Sequence, residues 1–214
     1  MKANIALEGI DGAGKSTQIK RLTERLTREG FPVVSYSYTA KDNPWGRLIK
    51  KVYAQNSTSP FRLLARSPHI KEALYSLSAR ANYKKLEGKI QPDSVLISDR
   101  SIVTAYASHI DVLEEAFLDF VEPNNVPDVA IYIDLAPEEA FERIQGRRVK
   151  FDDETLEELH YFRSCYMRVI GAERPRTLTN TRFLHVDGNQ SEERVTQLIY
   201  ELIKKEIGGK TNGN

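Results

Sequence analysis

The sequence has a single cysteine, Cys165, in 214 residues. A lone cysteine excludes an internal disulfide and argues against a metal site built on several thiolates. No apolar stretch approaches the roughly 18 residues that a membrane-spanning helix needs. The short apolar run near the N-terminus leads straight into glycines, which is unlike a signal peptide. We therefore expect a soluble, cytoplasmic protein without membrane contacts.

The sequence also has little net charge. Its 31 basic and 30 acidic residues leave a formal charge of +1, which argues against a broad nucleic-acid surface. With 40% hydrophobic and 29% charged residues, disorder is not expected. There is no internal repeat and no linker-like segment. The length and composition predict one globular domain over residues 1–207, followed by a flexible tail at 208–214.

What the sequence does contain is an alternation of short apolar segments with stretches of helical spacing. The pattern predicts strands over 3–7, 32–38, 94–98, 129–134 and 182–187, and helices over 15–28, 43–55, 68–90, 113–121, 137–145, about 153–170, and 191–207. This order predicts an α/β fold with a five-stranded, mostly parallel sheet and helices on both faces. Ligands of such sheets bind beyond the carboxyl ends of the strands. Asp11, Tyr38, Asp99 and Asp134 are candidates because they lie at or just after those ends.

Residues 9–17 read GIDGAGKST and complete the pattern G-x-x-x-x-G-K-[ST] between a predicted strand and a predicted helix. The backbone of such a loop forms an anion-binding nest. We predict that it binds the phosphates of ATP through Gly9, Ile10, Asp11, Gly12, Ala13, Gly14, Lys15, Ser16 and Thr17. Lys15 would reach the β- and γ-phosphates and Ser16 would ligate Mg²⁺. The alternative, an ordinary glycine-rich turn, does not explain the full motif in this context.

Other sequence features indicate which class of phosphate-loop protein this is. The sequence has no N-K-x-D element, so it is not a small GTPase, and its length favours a small kinase. Asp99 and Arg100 follow the third predicted strand, where the carboxylate can hold Mg²⁺ and the guanidinium can bind a phosphate. A surface ion pair is the alternative. Asp134 is a competing Mg²⁺ ligand, but it precedes a Pro-Glu-Glu helix start, so we expect it to cap that helix.

A basic turn surrounds Gly146. It carries Arg143, Arg147, Arg148 and Lys150, and we predict an arginine-bearing lid at about 143–153. Positive charge around a transferring phosphoryl group is the main requirement of its catalysis. The alternative is a solvated turn balanced by the acidic residues at 152–154.

The segment LEGIDGAGKSTQ, the later ISDR and the basic segment before a long helix together resemble the thymidylate kinase family of P-loop nucleoside monophosphate kinases. The resemblance implies transfer of the γ-phosphoryl group of ATP to dTMP, giving dTDP, with Mg²⁺, by a homodimer. A kinase of the same fold acting on another nucleoside monophosphate or a deoxynucleoside is the nearest rival. A non-catalytic nucleotide-binding regulator is a rival from another class.

The resemblance also implies roles for single residues. Asp11 would face the acceptor nucleotide and contact its 3′-hydroxyl, and Arg100 would meet the acceptor phosphate. Thr104 occupies a position where the family usually has serine. Arg80 resembles an arginine that contacts the acceptor, and Tyr75 or Leu77 would then lie near the thymine.

Some positions depart from the family pattern. Lys41 replaces an arginine of the Arg-Glu-Pro stretch, and Ser101 replaces an aromatic residue. These changes border the acceptor site and leave its specificity open. Gly12 stands where some members carry an arginine, which implies a catalytic arginine in the lid, Arg147 or Arg148. Lys15, Asp11 and Arg100 complete the predicted catalytic set.

Overall fold

The computed structural model describes residues 3–38, 43–53, 67–121, 126–146 and 155–209. These residues form five strands: β1 (Ala3–Glu8), β2 (Val33–Ser37), β3 (Val95–Asp99), β4 (Val129–Asp134) and β5 (Arg182–Asp187). The helices among them are α1 (Lys15–Arg28), α2 (Pro44–Tyr53), α3 (Pro68–Leu86), α4 (Ile102–His109), α5 (Glu115–Val121), α6 (Pro137–Gln145), α7 (Leu156–Ile170) and α8 (Glu192–Gly209). Short 3-10 helices occupy Glu87–Lys89 and Arg176–Leu178.

The five strands form one parallel sheet in the order β2-β3-β1-β4-β5. Every residue of β1 is buried, although successive side chains point to opposite faces. Both faces of the sheet are therefore covered at its centre, as parallel sheets require, and the edge strands β2 and β5 are less buried. The predicted α/β fold class is confirmed, and the sheet is entirely parallel.

The core consists mainly of aliphatic side chains from the inner strands and from one side of the helices. Its members include Ile5, Leu7, Leu22, Leu26, Ile97, Ile131, Ile133, Ile199 and Ile203, all fully buried. Helices α1 and α8 pack together, and Thr196 on α8 donates to Gln18 on α1. Helices α4, α6 and α7 form a second group, with α7 against both others. This second group brings residues that are far apart in the sequence close to the carboxyl end of β1.

Several element boundaries differ from the sequence predictions by one to four residues, and one helix was not predicted. The pattern predicted no element over Ile102–His109, yet α4 forms there, and its N-cap Ser101 accepts a hydrogen bond from the Val103 N–H at 3.2 Å. The first residues of α4 are β-branched and have low helix propensity, so tertiary packing and the Ser101 cap stabilise this helix. Helix α8 continues through Gly209, two residues into the predicted tail. Among the described residues, no helix is both long enough and apolar enough to cross a membrane.

Candidate active site

The loop between β1 and α1 has the backbone of an anion nest. Gly9, Gly12 and Gly14 have positive φ angles of 143°, 89° and 85°, a region that favours glycine. A Cβ added at Gly12 would lie 2.5 Å from the Ala140 carbonyl oxygen of α6. No larger residue fits there without moving α6. Gly14 is the N-cap of α1 and provides no side-chain cap, so the first N–H groups of the helix and its dipole face the loop.

Lys15 begins α1 and turns back into this loop. Its Nζ donates to the carbonyls of Gly9 and Ile10, both at 2.9 Å, and only 7% of the residue is exposed. Burial, assisted by the positive charge of Arg100, lowers the pKa of Lys15 to about 8. The ammonium is thus held at the centre of the nest, where phosphate oxygens would share it.

Ser16 and Asp99 lie next to each other at the same edge. The Ser16 Oγ donates to Asp99 Oδ2 at 2.7 Å. The register of β1 with β3 places Leu7 opposite Asp99, so the end of β3 reaches the start of the loop. Both side chains offer the oxygen ligands that Mg²⁺ prefers. The donor set therefore fits the predicted metal.

Arg100 follows Asp99 and points to the loop. Its Nη2 lies 2.7 Å from Asp11 Oδ1, and its Nη1 donates to the Gly9 carbonyl at 3.1 Å. The Asp11 side chain is 50% exposed and that of Arg100 13%. An acidic residue in an anion-binding loop is tolerated here because a guanidinium neutralises it. The pair borders the nest and places a carboxylate beside a cation at its edge.

A fully buried carboxylate, Glu8, lies beneath this pair and was missed by the sequence predictions. It accepts hydrogen bonds from Ser101 Oγ at 2.6 Å, Thr104 Oγ1 at 2.7 Å and the Tyr166 hydroxyl at 3.2 Å. A charged residue at the end of an otherwise apolar strand was the available signal. Ser101 therefore points into the protein interior, not into an open acceptor pocket.

The acceptor candidates on α3 do not share one face. Tyr75 is half-buried and Arg80 is exposed. Five residues on an α-helix correspond to a rotation of about 140° between their directions. Ser76, one turn before Arg80, is buried. Leu77 is exposed. The structure places Thr104 in contact with Glu8 and Tyr166.

Asp134 was expected to cap the following helix, and this prediction is wrong. The N-cap of α6 is Ala136, without a side-chain cap hydrogen bond. Asp134 instead accepts two hydrogen bonds from the Arg163 guanidinium, at 2.7 and 2.8 Å. His185 lies 3.3 Å from the same carboxylate. A bidentate arginine satisfies the carboxylate better than a cap does.

The remaining predicted residues lie outside the described part of the chain. These are Lys41, Arg147 and Arg148, together with most of the segment at 143–153. Arg143, at the end of α6, is described, and its Nη2 lies 3.5 Å from Glu139 one turn earlier.

Comparisons with known proteins indicate the family of this chain. The family model described as "Thymidylate kinase" matches residues 7–199. A "Probable thymidylate kinase" of Thermococcus onnurineus is 32% identical over 208 residues, covering 94% of this chain and 99% of that protein. A "Probable thymidylate kinase" of Thermococcus kodakarensis is 34% identical over 161 residues, covering 72% and 77%. A "Thymidylate kinase" of Leptospira borgpetersenii is 29% identical over 210 residues, covering 96% and 95%. The match over most of the chain confirms the family indicated by the sequence motifs: the chain belongs to the thymidylate kinase family.

Proposed function

We propose that the chain transfers the γ-phosphoryl group of ATP to dTMP, giving dTDP, with Mg²⁺. The observation that carries the proposal is the Asp11–Arg100 pair, at 2.7 Å, at the border of a complete phosphate loop. The nest and Lys15 suit the donor phosphates. The pair suits a second substrate that brings both a hydroxyl and a phosphate, as a nucleoside monophosphate does.

The donor side follows from the loop. Backbone N–H groups and the α1 dipole hold the β-phosphate, and Lys15 moves from the loop carbonyls to the β- and γ-oxygens. Because Lys15 already lies inside the nest, little reorganisation is needed when the phosphates arrive. Ser16 and Asp99 would hold Mg²⁺, directly or through water. When bound, Mg²⁺ would neutralise charge on the β- and γ-oxygens.

The acceptor side follows from Arg100 and Asp11. The guanidinium would bind the dTMP phosphate and hold it in line with the γ-phosphorus, while the Asp11 carboxylate would accept a hydrogen bond from the 3′-hydroxyl. Arg147 or Arg148 would add positive charge around the transferring group, as the sequence resemblance implies. Each role supplies position or charge, which is most of what phosphoryl transfer requires.

The acceptor is tested with a panel of dTMP, dUMP, dCMP, dGMP and thymidine at fixed ATP and Mg²⁺, measuring nucleotide products by chromatography. The proposal requires the highest kcat/KM with dTMP. A higher kcat/KM with another monophosphate, or with thymidine, would assign the chain to another acceptor. ATP binding without any product would favour a non-catalytic regulator.

A cytoplasmic homodimer is part of the same proposal. Ile70 and Leu77 on α3 are 39% and 38% exposed, and their spacing of about two turns puts them on one face. Such a stripe suits burial against a second copy. Analytical ultracentrifugation of the parent and of Leu77→Glu would test this, since the substitution should shift the mass toward the monomer. Cell fractionation would test the location.

A further inference from the structure

Tyr166 on α7 lies where three groups of the site meet. Its hydroxyl accepts from Arg100 Nη1 at 2.8 Å, lies 2.7 Å from Thr104 Oγ1 and donates toward Glu8 Oε2 at 3.2 Å. A phenol has one proton and two acceptor lone pairs. With one lone pair on Arg100, its proton goes to Glu8 or Thr104. The hydroxyl therefore links the buried carboxylate to the guanidinium.

Glu8 makes this link rigid. It is fully buried at the end of β1 and accepts from Ser101 and Thr104 at 2.6 and 2.7 Å, in addition to Tyr166. Burial raises the pKa of Glu8, against the opposing effect of these hydroxyl groups and of Arg100. Hydrogen bonds of a buried polar network cannot be exchanged for water, so the network holds its members in one arrangement.

The backbone of Arg100 needs such support. Arg100 has a φ of 70°, in the left-handed region that a residue with a side chain rarely adopts. Such a residue persists only when its surroundings over-determine it. Its N–H donates to the Leu7 carbonyl at 3.0 Å, and Ser101, the next residue, is held by Glu8. Tyr166 supplies the matching restraint on the side chain.

We infer that Tyr166 is a positioning residue that holds the Arg100 guanidinium beside Asp11 through its contacts with Glu8 and Thr104. This inference rests on the proposed function for its kinetic consequence, but not for the arrangement of Arg100 itself. It connects α7, which follows the predicted lid at about 143–153, to the acceptor side of the site. It also gives Glu8 and Ser101 a role that the sequence did not indicate.

The chain offers a matched control for the test. The Tyr132 hydroxyl is buried and has no hydrogen-bond partner among the described residues, and its ring lies 5.2 Å from the ring of Tyr166. Tyr166→Phe and Tyr132→Phe remove the same atom from neighbouring buried rings. A loss caused only by a smaller buried side chain would be the same in both variants.

The first measurement is steady-state kinetics. Tyr166→Phe should lower kcat/KM for dTMP by about tenfold to a hundredfold, the range expected for one hydrogen bond to a charged group, with KM for ATP unchanged. Tyr132→Phe should match the parent. In an Arg100→Lys background Tyr166→Phe should have little further effect, because both changes act on one interaction. Additive losses, or equal losses in the two phenylalanine variants, would overturn the inference.

The second measurement does not depend on the substrate. Nitrogen-15 NMR of the Arg100 side chain, assigned by its absence in Arg100→Lys, reports whether the guanidinium rotates freely. Restricted rotation is expected in the parent and in Tyr132→Phe, and faster rotation in Tyr166→Phe. Free rotation in the parent would overturn the inference even if Tyr166→Phe failed to fold. Restricted rotation with no dTMP turnover would overturn the proposed function alone.

Discussion

Replacing Lys15 by methionine should abolish phosphoryl transfer and at the same time remove a cost to stability. Methionine keeps the length of the side chain but not its charge. The Nζ of Lys15 is buried against the carbonyls of Gly9 and Ile10. Loss of its contact with the transferring group should lower kcat by several orders of magnitude. A decrease within about tenfold, only ~1.4 kcal/mol of barrier, would refute the loop assignment.

The stability effect follows from the pKa of Lys15, which is lowered from about 10.5 to about 8. Below pH 8 both the folded and the unfolded chain carry the charged lysine, and the folded chain bears the full cost of burying it. Between pH 8 and 10.5 the unfolded chain binds a proton that the folded chain does not, so stability rises with pH. At ~1.4 kcal/mol per pKa unit, the total is about 3 kcal/mol.

The assay is urea unfolding of the parent and of Lys15→Met at several pH values. The parent should gain about 3 kcal/mol relative to Lys15→Met between pH 7 and 10.5, and other titrating groups cancel in the difference. Lys20→Met, at an exposed position of the same helix, serves as the control and should follow the parent. If the difference in free energy of unfolding between the parent and Lys15→Met stays constant with pH, the pKa of Lys15 is not lowered. If that difference falls as pH rises, the pKa is raised instead and the reasoning is wrong.

Three further predictions concern the substrates. ATP affinity of the parent should fall as pH rises above about 8, because Lys15 loses its charge; calorimetry showing a flat profile to pH 9.5 would contradict this. Asp11→Ala should keep or slightly strengthen ATP binding and lose about tenfold to a hundredfold in kcat/KM for dTMP, together with most of the preference over the 3′-deoxy analogue. If the variant discriminates as well as the parent, Asp11 does not read that hydroxyl. Replacing Arg147 and Arg148 together by alanine should lower kcat far more than it weakens acceptor binding, and an unchanged kcat would make the segment a solvated turn.

The phosphate loop shows why part of the site could be predicted from the sequence. Residues 9–17 are contiguous, and an anion nest depends on a local backbone conformation that glycine adopts most readily. The strand before the loop and the helix after it could also be predicted, because apolar residues are spaced differently in strands and in helices. The parallel sheet followed from the alternation of those elements. The motifs that indicate the family could be recognised for the same reason, because each is a contiguous segment.

The contacts among Glu8, Ser101 and Tyr166 show what could not be predicted. Their contacts join residues more than 90 positions apart for Glu8 and Ser101, and 158 apart for Glu8 and Tyr166. No local pattern marks such a pair, because its energy depends on burial and on distances that only the packed chain sets. The wrong prediction for Asp134 has the same cause, because its arginine partner lies on α7, 29 residues away in the sequence.

The sequence by itself therefore determined the fold class, the family and the loop that suits the donor phosphates, since these depend on local periodicity and on contiguous motifs. The tertiary structure alone decided how the acid in that loop is neutralised, because Arg100 reaches Asp11 only where β3 lies beside β1. It likewise decided which buried groups restrain Arg100. A hydrogen bond to a charged group inside a protein is strong only when water is excluded, and exclusion of water is a property of the whole packed chain.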